Sequence, residues 1–136
     1  MAEILILESD ERYRVLLRFI LEGIHHRVVE AESWDDLPEW PHGQGPDLVI
    51  LSVHLELEGD GTMGDWPIWQ RSLPDAPVLI LFSGKPHLRD LFLRYWVGTT
   101  AIKCLDQPVD PYPFLAMVKA MLTASGVKNF GGQHVL

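Results

Sequence analysis

The stretch Leu48-Val49-Ile50-Leu51, introduced by Pro46-Asp47 and closed by Ser52, constrains the fold more than any other part of the chain. Four consecutive apolar residues without an alternating polar position leave no face for water. The segment therefore reads as a strand buried on both sides, the pattern of a parallel sheet covered by helices. In open sheets of that kind ligands and chemistry collect beyond the carboxyl ends of the strands. The residue placed at that end is a serine, and an acidic, glycine-containing loop from Val53 to Gly64 is expected to follow it.

The same signal recurs along the chain. Ile4 to Leu7 is an unbroken apolar run that ends at Glu8-Ser9-Asp10, a polar loop suited to a helix N-cap. Val28-Val29-Glu30-Ala31 is a shorter, β-branched run. Pro77 to Phe82 closes on Ser83-Gly84, and Thr100 to Leu105 leads into Asp106-Gln107-Pro108. Helical stripes separate these strands. Tyr13, Leu16, Leu17, Ile20, Leu21 and Ile24 recur at helical spacing against Arg12, Arg14, Arg18 and Glu22, with Gly23 as the stop. Trp34, Leu37 and Trp40 line a brief helix curtailed by Pro38 and Pro41.

Trp66 to Leu73 reads as a poorly patterned third helix, and Leu88, Leu91, Phe92, Tyr95 and Trp96 mark a fourth. The last helix has Asp110 as its N-cap, Pro111 in its first turn, and Phe114, Leu115, Val118, Met121 and Leu122 along its apolar face; Gly126 ends it. Five β-α repeats with such apolar strands predict an α/β fold. It is a doubly wound, five-stranded parallel sheet with helices on both faces, in the flavodoxin-like order. One domain over residues 1–125 is expected, with 126–136 a flexible C-terminal tail.

Composition narrows the function. A net charge of −8, with eleven Lys and Arg residues scattered and in no stripe, disfavours a nucleic-acid face. No window approaches the roughly 18–20 apolar residues of a membrane span, and the N-terminal residues lack a basic leader and a cleavage site. Cys104 is the single cysteine, so no disulfide framework or cysteine metal site is expected, and a reducing cytoplasm is the expected location. No glycine-rich phosphate loop follows the first strand, and no Ser–His pair has supporting context. The expectation is a protein that is not an enzyme, with no cofactor, no metal, no nucleic-acid partner and no membrane partner.

Taken in order, Ile4-Leu5-Ile6-Leu7-Glu8, Val29 to Ser33, Pro46 to Leu51, Asp60-Gly61, Pro77 to Ser83 and Gln107-Pro108-Val109-Asp110 resemble the receiver domains of two-component response regulators over about residues 3 to 123. In that family an aspartate at the end of the third strand accepts a phosphoryl group from a histidine kinase. Mg²⁺ is held there with an acidic pair that follows the first strand. A hydroxyl residue after the fourth strand and a lysine before a proline respond to the phosphoryl group. The resemblance places Ser52 at the acceptor position, Glu8 and Ser9 at the acidic pair, Ser83 at the hydroxyl position and Gln107-Pro108 at the lysine-proline pair. Cys104 stands where the family has its switching aromatic. A register with Lys103 as the lysine fails, because Cys104 and not proline follows it.

Three charged positions have become neutral together, which implies a degenerate pseudo-receiver without phosphoryl-transfer chemistry. Ser52 is expected to cap its strand and hydrogen-bond to Ser9 or Gln107. One carboxylate is too few for Mg²⁺; loop ligands from Glu56, Glu58 and Asp60 are the alternative, and a solvated acidic loop is the plainer reading. The implied role is a protein-interaction module in a two-component phosphorelay. Its partner would be a signalling protein, kinase-like or an output protein, and homodimers through the fourth helix, fifth strand and last helix are the family's precedent. Trp66, Trp69, Tyr95 and Trp96 form a candidate partner patch. The alternatives are a regulator switched by an unconventional modification or ligand at the degenerate pocket, and a flavodoxin-like enzyme that binds a small molecule.

Overall fold

In a computed structural model of the chain, residues 1–40, 44–55, 75–94 and 101–124 are described. Strand β1 is Glu3–Leu7, followed by helix α1 at Glu11–Gly23, β2 at Arg27–Ala31 and a single 3₁₀ turn at Trp34–Asp36. Strands β3 (Leu48–Leu55) and β4 (Val78–Gly84) come next, then helix α2 (Pro86–Arg94), β5 (Ile102–Asp106) and helix α3 (Pro111–Ala124). The strands form one five-stranded sheet in the order β2-β1-β3-β4-β5, and every neighbouring pair is parallel. This is the doubly wound order expected from the alternation of apolar runs and helical stripes.

Because side chains alternate along a strand, each strand divides its apolar residues between two cores. Ile4, Ile6, Leu48, Ile50, Leu79 and Leu81 pack with Leu17 and Leu21 of α1 and with Phe114, Val118, Met121 and Leu122 of α3. Leu5, Leu7, Val49, Leu51, Val53, Val78, Ile80 and Phe82 pack with Leu88 and Phe92 of α2, with Trp34 and Leu37 at the margin. Burying each such side chain is worth about 1.5–3 kcal/mol relative to leaving it in water. The central strands, buried on both faces, therefore carry the largest share of the hydrophobic stabilisation.

Caps and ties fix the helices against this sheet. The Asp10 carboxylate accepts hydrogen bonds from the backbone N–H groups of Arg12 and Tyr13 at 3.0 and 3.3 Å, an N-cap that satisfies the orphan donors of the first turn of α1. At the far end the chain turns back through His25, whose φ of 69° lies in the left-handed region, and Gly23 is the last helical residue. Arg14 and Arg18 of α1 both reach Glu30 of β2, at 3.1 and 2.6 Å. Burial works to raise the Glu30 pKa, and the two guanidiniums outweigh it and hold the carboxyl below its usual range. At the other edge Arg89 of α2 makes a two-pronged contact with Asp106 of β5, at 2.9 and 2.8 Å.

Several expectations need correction. The third strand does not end at Ser52: it continues to Leu55, because Val53, His54 and Leu55 pair in register with Phe82, Ser83 and Gly84 of β4. The helix expected over Trp34, Leu37 and Trp40 is a three-residue turn, since Pro38 cannot continue a helical hydrogen-bond ladder. The apolar stripe of α1 is only partly buried. Leu17 and Leu21 are core residues and Tyr13 and Ile20 are half-buried, whereas Leu16 and Ile24 face solvent. The expected third helix, the acidic loop beyond residue 55 and the C-terminal tail lie outside the described residues.

Candidate functional site

Strand parity assembles the site. On the face covered by α1 and α3, β1 presents Ile4 and Ile6, β3 presents Leu48 and Ile50, β4 presents Leu79 and Leu81, and β5 presents Leu105. Two residues further along each strand direction, the same face carries Glu8, Ser52, Ser83 and Gln107, with His54 one more step along β3. Apolar residues thus line this face until the carboxyl ends of the strands, where polar groups replace them.

Glu8 is buried, and its backbone is held at both ends. Its N–H donates to the Ala31 carbonyl at 3.1 Å, and its carbonyl accepts from Arg14 Nη1 at 2.8 Å. The Glu8 Oε2 atom accepts the Asp10 N–H at 3.0 Å and lies 3.7 Å from His54 Nε2, while Oε1 is buried with no hydrogen-bond partner among the described residues. Ser9, the next residue, is exposed.

The Ser52 hydroxyl is buried and also lacks a partner among the described residues. The expected hydrogen bond from Ser52 to Ser9 or Gln107 is therefore absent, for a geometric reason. The Gln107 backbone N–H donates to the Phe82 carbonyl at 2.7 Å and its side-chain amide Nε2 donates to the Leu81 carbonyl at 2.7 Å, so the side chain is tied down on β4. The Gln107-Pro108 peptide bond is cis, and Pro108 is exposed. Ser83 is half-buried and stands opposite His54 in the β3–β4 register.

Tyr13 of α1 adds a third buried, unpartnered oxygen, its hydroxyl lying near the Val109 backbone without a hydrogen bond of good geometry. Burial is the main cause that pushes the Tyr13 phenol pKa up, with the Glu8 charge adding to it and the Val109 backbone opposing. Three unpartnered polar atoms on one side of the sheet are unusual, since buried polar groups are nearly always satisfied.

The donor set is poor for Mg²⁺. Glu8 is the crevice's carboxylate, its neighbour Ser9 is exposed, and Ser52 offers a neutral hydroxyl, whereas that ion prefers an octahedral oxygen shell with anionic ligands. Among the described residues no group of three or more His, Cys, Asp or Glu side chains could hold a metal ion. Nor is Ser52 set up as a nucleophile, since no base lies within hydrogen-bond reach of its hydroxyl among the described residues.

Of the remaining sequence candidates, Cys104 faces the opposite core, packed at the edge of the cluster around Ile80 and Phe92. Burial, assisted by the nearby Asp106, pushes its thiol up to about 11, so little of it is thiolate at neutral pH. Trp66, Trp69, Tyr95 and Trp96 lie outside the described residues. His54 and Tyr13 were missed by sequence reasoning. His54 was legible as the residue two past Ser52, hence on the same strand face, whereas Tyr13 looked like an ordinary member of an apolar stripe.

Comparison with known proteins gives the fold a name. No protein-family model matches the sequence, and no curated protein matches it. Solved structures do. The signal receiver domain of a signal transduction histidine kinase from Syntrophus aciditrophicus superposes with a TM-score of 0.68 at 22% identity, over 100% of this chain and 98% of that one. A CheY-like response regulator from Mesorhizobium loti gives 0.66 at 17% identity, over 88% and 98%. NtrX from Brucella abortus, in complex with ADP, gives 0.66 at 18% identity over 91% of this chain, which spans 26% of the NtrX chain. The five-stranded parallel sheet and its covering helices thus have the fold of response-regulator receiver domains.

Proposed function

We propose that this chain is a receiver-like signalling domain that has lost aspartyl phosphorylation and acts as a protein-interaction module in a two-component-type pathway. The observation that carries this reading is Ser52. It stands in the crevice, on the polar step of β3, where a receiver needs a carboxylate, and its hydroxyl is buried without a partner. A serine cannot form an acyl phosphate or neutralise a hard cation. Gln107 supplies a neutral amide in place of a cation, and that amide is already engaged with the Leu81 carbonyl. Ser9 in place of a second acid completes the loss.

With the switch positions neutral, the domain is held in one state or biased by partner binding alone. The docking surface fits the edge of the sheet at β5, flanked by α2 and α3. Strand β5 is only half-buried along its length, and Tyr112 at the start of α3 is 87% exposed. A signalling protein, kinase-like or an output protein, is the partner chemistry this reading implies.

A second reading is favoured by the three unpartnered oxygens of Glu8, Tyr13 and Ser52, which suit a ligand or modification received in the crevice. One experiment tests the primary reading. The chain is incubated with a small phosphodonor and Mg²⁺, and its intact mass is measured. An unchanged mass is expected, and a stoichiometric phosphoryl adduct overturns the primary reading.

A further inference from the structure

Helix α1 carries an apolar strip that the sheet does not cover. Phe19 is 76% exposed, and Val15 and Leu16 are each 50% exposed, although all three sit in a regular helix whose other face is fully packed by Leu17 and Leu21. At 3.6 residues per turn, positions 12, 15, 16, 19, 22 and 23 fall on one side of the helix. That side therefore reads Arg12, Val15, Leu16, Phe19, Glu22 and Gly23, an apolar centre with a cation at the amino end and an anion at the carboxyl end. Gly23 has open space where a Cβ would be, so this end of the helix admits a close neighbour. Isolated exposed apolar residues need no explanation, but a contiguous strip rimmed by charge marks an interaction surface.

The order of charges identifies the occupant. In an antiparallel pairing of two such helices about a two-fold axis, residues equidistant from the centre meet each other. Setting Phe19 against Val15 of a second copy centres the pair at the level of residue 17. The same register then brings Arg12 opposite the second copy's Glu22, and Glu22 opposite its Arg12. The strip is thus complementary to itself, in apolar contacts at the centre and in charge at both ends. Glu22 already meets Arg18 of its own helix at 3.2 Å, on the exposed surface, which leaves the carboxylate accessible to a second guanidinium.

We infer that this face of α1 is a homodimer interface, with two copies of the chain pairing antiparallel through Phe19, Val15 and Leu16. Helix α1 packs on β1 and β2, at the opposite edge of the sheet from β5. A dimer formed here leaves the β5 edge open, so two partner-docking surfaces are presented by one symmetric particle. A seam one helix wide is small by the standards of stable dimers, so the association is weak and concentration-dependent.

Sedimentation equilibrium of the full chain over a concentration series reads the association directly. The expected result is a reversible rise from monomer mass to twice that mass. Phe19→Glu leaves the fold intact, since the side chain is mostly in water, and its circular dichroism and melting curve should match the parent; dissociation should strengthen by about 30-fold, as for removal of a central aromatic anchor. Arg12→Glu should weaken the dimer, and Glu22→Arg added to the same chain should restore it, an outcome that only the antiparallel register supplies. A chain that stays monomeric at several hundred micromolar overturns the inference. So does a dimer that survives Phe19→Glu but is lost in Tyr112→Glu, which would place self-association at the β5 edge instead.

Discussion

Replacing Glu8 by glutamine should stabilise this protein. The carboxylate is fully buried, yet among the described residues it holds one hydrogen bond, from the Asp10 N–H at 3.0 Å, together with a loose approach of 3.7 Å from His54. Its second oxygen has no hydrogen-bond partner among the described residues. Taking a carboxylate out of water costs several kcal/mol after relaxation, and a single hydrogen bond to a charged group returns about 1.5–3 kcal/mol. The His54 ring adds little, because its side chain is 47% exposed and water screens the contact. Glu8→Gln keeps the shape, keeps an oxygen to accept from Asp10, and removes the unpaired charge. A gain of about 1–2 kcal/mol is expected, which raises the melting temperature by roughly 3–8 °C. Urea denaturation at neutral pH measures it, with Glu8→Ala as the control that loses the acceptor as well and should be less stable than the glutamine variant. A glutamine variant destabilised by about 1 kcal/mol or more would refute the reasoning, since the charge would then be worth more than its burial costs.

Two further predictions follow from buried titratable groups. His26 accepts the Ala2 N–H at 3.2 Å on Nδ1, and burial first, then the N-terminal ammonium, lowers its pKa below 6.5. A base with a depressed folded pKa contributes stability that is intact above the unfolded value and lost as pH falls from about 6.5 through the folded value. Unfolding free energy should therefore drop between neutral pH and about pH 5, and His26→Gln should remove part of that slope; an unchanged slope would refute the assignment. Cys104, with its thiol pushed up to about 11, should react with a thiol-specific reagent at pH 8 about 100-fold more slowly in the folded protein than in denaturant. Equal rates in the two states would show that the thiol is not shielded.

The retention of Glu8 despite its cost fits the wider pattern of the crevice. A chain selected for stability alone would fill these positions with apolar residues or satisfy every polar atom. Glu8, Tyr13 and Ser52 instead leave three oxygens open on the face that α1 and α3 cover. Under the proposed loss of phosphoryl chemistry, such open oxygens fit a site kept for receiving a hydrogen-bonding group.

Local periodicity is written into the chain, and so the elements were legible there. The four-residue apolar run at Leu48 to Leu51 required a strand buried on both faces, and alternation with helical stripes required parallel crossovers and the observed strand order. That Glu8, Ser52, Ser83 and Gln107 share one face of the sheet followed from the same strand alternation. What a neighbouring strand or helix does was not legible. Strand β3 runs three residues past Ser52 because β4 is there to pair with Val53, His54 and Leu55. The Gln107 amide donates to the Leu81 carbonyl at 2.7 Å and not to Ser52, a pairing that only the packed sheet sets. Helical spacing says which residues share a side of α1, but the width of the sheet beneath it decides how many are covered. Leu17 and Leu21 are buried there, while Leu16, three residues past Tyr13 in the same stripe, is left to water.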